Sequence, residues 1–143
     1  MGDETSLHSS CVALGDYAVL LRGVSGSGKS DLALRLIDAG WGLVADDQTR
    51  LRLTADGQIL AYPPDLLAGL LEVRGFGLMR LPFRQHVPLL AVFDLVPRDQ
   101  IERYPELATF DILGISLPLW QLDPFSASAV AKIRLCVANQ VTS

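Results

Sequence analysis

An α/β fold, with a mixed β-sheet flanked by helices, is what this sequence predicts. Three observations carry the prediction. A short apolar run of strand length at residues 17–21 leads directly into a glycine-rich segment. Residues 29–39 then place Leu32, Leu36 and Ala39 at helical spacing beside Ala33 and Ile37. A further apolar run at 43–45 follows, giving the strand, loop, helix, strand order of an α/β unit.

The remaining elements follow in order. Gly40 ends the first helix. Residues 50–53 alternate charged and apolar side chains, turn through Asp56-Gly57 and return at 59–62, which is a hairpin signature and makes the sheet mixed. Pro63-Pro64 interrupts the chain before a short helix at 65–68 and a strand at 71–73. Gly75 and Gly77 make the next backbone irregular and allow close approach of another group. Residues 89–95 form a long apolar strand, and 98–106, broken by Pro97 and Pro105, are polar and turn-like. A last strand at 115–122 precedes a helix over 126–140, with Ser126 as its N-cap. There is no repeat, low-complexity stretch or linker, so residues 1–143 read as one domain.

Composition narrows the function classes. Half of the residues are hydrophobic and a fifth charged, which excludes a disordered chain. The longest apolar run, 87–96, is interrupted by Pro88 and Asp94 and is too short for a membrane span. A net charge of −4 argues against sequence-independent nucleic-acid binding. The acidic, polar first residues are unlike a secretory signal. Cys11 and Cys136 lie in apolar surroundings without CxxC spacing and read as reduced, buried thiols of a cytoplasmic protein.

The glycine-rich segment carries the chemistry. Gly23-Val24-Ser25-Gly26-Ser27-Gly28-Lys29-Ser30 fits G-x-x-x-x-G-K-S at every fixed position, between a strand and a helix. Glycines let backbone N–H groups converge on an anion, and the helix N-terminus adds its partial positive charge. Lys29, one of only two lysines in the chain, can reach the β- and γ-phosphates, and the Ser30 hydroxyl can ligate Mg²⁺. The ligand class is a nucleoside triphosphate or a similar phosphate compound.

Such a site also needs a carboxylate at a strand end. Asp46-Asp47 and Asp94 are the candidates. Adjacent aspartates on an extended chain point to opposite sides, so one of the first pair can face the phosphates while the other fixes the loop. A second charged pair, Glu72 and Arg74, lies two residues apart and on a strand would share one face; a structural ion pair is the alternative. His8 precedes the glycine loop by one strand and a turn.

Together, His8, the loop at 23–30, Leu43-Val44-Ala45-Asp46-Asp47 and Leu71-Glu72-Val73-Arg74-Gly75-Phe76-Gly77 resemble the catalytic domain of the HPr kinase/phosphorylase family. The order and spacing agree over most of the chain, and the short form is similar to those of alphaproteobacteria. The resemblance implies a P-loop fold related to phosphoenolpyruvate carboxykinase. It further implies ATP and Mg²⁺ as cofactors, and transfer of phosphate to a serine of an HPr-like phosphocarrier of the sugar or nitrogen-type phosphotransferase system. It implies Asp46 as the base toward the target serine, His8 and Lys29 on the phosphates, Ser30 and Glu72 on Mg²⁺, and Arg74 in the segment both activities use. A cytoplasmic homo-oligomer, a hexamer in the full-length enzymes, is also implied.

The chain departs from that pattern in three places. The family's separate N-terminal domain is not in this sequence. Asp31 follows Gly-Lys-Ser where glutamate is common. Near the C-terminus the family's Gly-Arg-Asn segment, with a catalytic arginine, is replaced by Pro124-Phe125-Ser126-Ala127-Ser128-Ala129, which leaves the phosphorylase direction open. A nucleotide-binding sensor with little catalysis and a small-molecule kinase are the alternative readings.

Overall fold

The computed structural model describes residues 3–142. Strands β1 (Glu4–Leu7), β2 (Ser9–Leu14) and β3 (Tyr17–Arg22) precede the glycine loop and α1 (Lys29–Asp38). Then come β4 (Gly42–Ala45), β5 (Thr49–Leu53), β6 (Ile59–Tyr62), β7 (Leu70–Val73), β8 (Gly77–Arg80) and β9 (Val87–Leu95). The hairpin β10 (Ala108–Ile112) and β11 (Ile115–Leu122) leads to α2 (Ala129–Thr142). Among these residues no helix is long and apolar enough to cross a membrane.

The main sheet runs β1-β5-β6-β9-β3-β2-β4, with β11 joined to the distal part of β9 and β10 outside it. β9 is the junction. Val87 and Pro88 pair antiparallel with β6, Leu89 to Asp94 pair parallel with β3, and Val92 to Leu95 pair parallel with β11. The sheet is mixed, as the hairpin patterns predict. β7 and β8 form a separate hairpin.

β3 and β9 read as continuous apolar runs because both of their faces are covered. Val19 and Leu21 face a core shared with Leu32, Ala33 and Leu36 of α1 and with Ala129, Ile133 and Val137 of α2. Ala18 and Leu20 face a second core, which Leu51, Ile59, Ala61 and Ile112 complete. Helix α1 stops where Gly40, at φ +104, takes the left-handed conformation. The Gly40 N–H then bonds the Ile37 carbonyl and the Trp41 N–H the Leu36 carbonyl, which is a Schellman closure.

Four strands, β1, β2, β8 and β10, lie where the sequence pattern indicates no element. His8 is therefore two strands ahead of the loop, at the bend between β1 and β2. Ser126 does not cap α2. Its hydroxyl and carbonyl accept from the N–H groups of Ser128 and Ala129 in a preceding turn, and the helix begins three residues later. Gly75 and Gly77 serve backbone conformation rather than close approach: φ is +86 and +98, and a Cβ at either would meet nothing within 4 Å. Cys11 is buried, whereas Cys136 is only partly so.

Candidate active site

The glycine loop begins at the end of β3 and wraps onto the N-terminus of α1. Gly23 is required because a Cβ there would lie 2.4 Å from the Ser27 hydroxyl. Gly28 is required twice over: its φ is +100, and a Cβ would lie 3.1 Å from Cζ of Phe125. Lys29 is almost wholly buried, and its Nζ donates to the carbonyls of Gly23 at 2.7 Å and Val24 at 3.1 Å. Burial draws the Lys29 pKa below the usual lysine range, against the opposing pull of the Asp47 and Asp46 charges.

The two aspartates do face opposite ways, and their environments differ sharply. Asp46 is buried. Its Oδ1 accepts from Ser10 at 2.7 Å and Ser30 at 2.8 Å, and its Oδ2 accepts from the Glu72 N–H at 3.1 Å. One carboxylate therefore ties β2, the start of α1 and β7 together. Asp47 adopts φ +70, a left-handed conformation that aspartate tolerates better than most residues, and so turns its side chain outward. There it accepts from His8 Nε2 at 2.9 Å. Because a carboxylate only accepts, Nε2 carries the proton.

Asp47, His8, Glu72 and Arg74 share a cleft of about 610 Å³ with Ser25, Gly26, Gly28, Lys29, Ser30 and Asp31 of the loop and helix. Leu34, Val73 and Phe125 complete its lining. Asp46 does not line it, so the base expected at Asp46 sits behind the wall of the cleft with its oxygens occupied. Glu72 and Arg74 are both exposed, and no ion pair joins them among the described residues. β7 ends at Val73, so Arg74 already belongs to the turn. Asp94 is no metal candidate: Arg22 grips it with two hydrogen bonds, at 2.8 and 3.2 Å, while stacking over Phe110.

The donor set fits a phosphate compound with its metal. A buried cation, a helix N-terminus and glycines stand beside the Ser30 hydroxyl, and the Ser27 hydroxyl is buried in the loop with no hydrogen-bond partner among the described residues. Mg²⁺ takes one or two protein oxygens and fills its octahedron with water and phosphate oxygens, and the Ser30 hydroxyl is an oxygen of that kind. Ser10 and Phe125 are the residues for which sequence reasoning found no role, and which of Asp46 and Asp47 faces the cleft was open; the serines that open β2 are the one local signal for Ser10.

Fold and site together define a P-loop domain with a carboxylate and histidine pair poised at the phosphate end. The sequence model described as "HPr Serine kinase C-terminal domain" matches residues 1–84, more than half of the chain, and the chain belongs to that family. A relative from Bordetella pertussis named HPr kinase/phosphorylase is 40% identical over 128 residues, 82% of this chain and 42% of the relative. One of the same name from Exiguobacterium sibiricum is 33% identical over 129 residues, 82% of this chain and 42% of the relative. The chain thus spans less than half the length of these curated relatives. The solved structure of the Hpr(Ser) kinase/phosphatase from Coxiella burnetii superposes with a TM-score of 0.84, covering 96% of this chain and 97% of that one. At 24% identity, that likeness shows the fold.

Proposed function

We propose that this domain is a Mg²⁺-dependent protein-serine kinase that transfers the γ-phosphoryl group of ATP to a serine of an HPr-like phosphocarrier. The observation that carries the reading is the single cleft in which the phosphate loop meets the His8–Asp47 pair and the Glu72 and Arg74 side chains. Asp47 takes the role of base: of the exposed carboxylates in the cleft it is the one that His8 holds in orientation, while Asp31 is engaged by Arg35 and Glu72 is left to the metal. The serine oxygen attacks the γ-phosphorus as its proton passes to Asp47, and the bond to the β-phosphate bridging oxygen breaks to release ADP. Lys29 and Arg74 neutralise charge on the phosphates; Ser30 and Glu72 would hold Mg²⁺, which would add further neutralisation.

Asp46 positions rather than reacts. It aligns the Ser30 hydroxyl and fixes the β7 backbone that carries Glu72. We place the enzyme in the cytoplasm, as an assembly of identical subunits. Incubation with HPr, ATP and Mg²⁺ tests the reading by yielding phosphoserine on HPr. Tight ATP binding with no phosphoserine at any enzyme concentration would instead support a nucleotide sensor. Phosphorylation of a metabolite, with no affinity for HPr, would make it a small-molecule kinase.

A further inference from the structure

One wall of the cleft, beside the phosphate loop, holds an exposed aromatic ring whose position is built, not incidental. Phe125 is 70% exposed, yet its ring stands against the backbone of Gly28, where a Cβ would meet Cζ at 3.1 Å and Cε1 at 3.3 Å. The turn that presents it is fastened at both ends. The Phe125 N–H donates to Asp123 Oδ1 at 3.0 Å, and Arg35 donates to the Pro124 carbonyl. Arg35 is held in turn by Asp31, one helical turn earlier, at 3.0 Å. Pro124 itself is buried. The ring is thus fixed to α1 beside the phosphate loop, within the segment that departs from the family pattern, and it shares its cleft with the partly buried Leu34 and Val73.

From this geometry we infer that Phe125 is the stacking platform for the nucleoside base, with Leu34 and Val73 as further apolar lining of that subsite. The inference rests on reading residues 23–30 as a nucleoside triphosphate loop. A triphosphate seated there must lead its nucleoside out of the loop. The apolar lining of the cleft, headed by a flat ring fixed against Gly28, matches the face of a heteroaromatic base. Of the two charged α1 groups in this lining, Lys29 is held by the Gly23 and Val24 carbonyls and Asp31 is engaged by Arg35. The platform therefore binds by face-to-face contact rather than by reading the base edge.

The experiment compares ATP with inorganic tripolyphosphate, which has the phosphates and no base, by calorimetry with Mg²⁺ present. Phe125→Ala should weaken ATP roughly 5- to 150-fold, the range that one base–aromatic stack spans, and leave tripolyphosphate affinity unchanged. Phe125→Trp should keep ATP affinity, with indole fluorescence quenched by ATP and not by tripolyphosphate. Equal loss of both ligands in Phe125→Ala would mean that the ring only shapes the loop, and would overturn the inference. Unchanged ATP affinity, including the case where only the KM for HPr rises, would overturn it as well. If the wild-type chain binds neither compound, the reading of the loop fails, and the platform with it.

Discussion

Replacing Asp46 by asparagine separates a positioning carboxylate from a catalytic one. Three donors converge on this buried side chain: the hydroxyls of Ser10 and Ser30 and the N–H of Glu72. An asparagine offers one acceptor oxygen and one NH₂ group. If the oxygen stays with the two serines, the NH₂ faces the Glu72 N–H, donor against donor. That orphaned buried group costs about 1–3 kcal/mol, and the two remaining bonds each weaken by about 1 kcal/mol as the acceptor loses its charge. The sum is about 3–5 kcal/mol. For a domain of this size, at about 3 °C per kcal/mol, the melting temperature should fall by about 9–15 °C. The control is Asp47→Asn. Asp47 is exposed, so its stability should change by less than about 0.5 kcal/mol, while phosphoryl transfer should drop roughly 10²- to 10⁴-fold. Melting curves and HPr phosphorylation rates for both variants decide the matter. An Asp46→Asn protein that melts with the wild type but transfers nothing would refute this reasoning and return the base to Asp46.

Two other expectations concern the metal and the thiols. Glu72→Gln should raise the Mg²⁺ midpoint of the kinase reaction and recover in excess Mg²⁺, whereas Lys29→Ala should not recover; a Mg²⁺ titration of both variants, with an unchanged midpoint in Glu72→Gln, would remove Glu72 from the metal site. Burial pushes the Cys11 thiol well above the usual cysteine range and raises Cys136 less strongly placed as it is at a partly buried position, so a thiol reagent at neutral pH should modify Cys136 first and reach Cys11 only on unfolding, as mass spectrometry of the labelled protein would show.

What the sequence made legible was local. The loop and α1 are contiguous, and the residue types demanded by strand, nest and helix follow one another without a gap, so loop, helix and terminating Gly40 could be placed from spacing. The opposite orientations of Asp46 and Asp47 were also legible, but not which of them faces the cleft. That is decided by Ser10, 36 residues from Asp46 in sequence, and by the left-handed backbone of Asp47. β2 escaped notice because it opens with two buried serines, Ser9 and Ser10, and one of them is there to meet Asp46. Glu72 and Arg74 share the cleft, though not through the alternation of a strand, since β7 ends between them. Phe125 stands far along the chain from Gly28, and only the packing of the turn after β11 brings the ring to the loop.

The threefold pairing of β9 sets the order in which this molecule can be assembled. By the time Arg74 leaves the ribosome, the phosphate loop, both aspartates and Glu72 have all been synthesised. The central strand β3 nevertheless still lacks its parallel neighbour, which begins at Val87. Hairpins such as β5–β6 close within microseconds, but joining β3 to β9 means closing a loop of some seventy residues, so it belongs to the slow class of folding events. A nascent chain arrested between these two points would carry nearly every polar group of the cleft and hold none of them in register. Its apolar β3 edge would meanwhile be open to other chains.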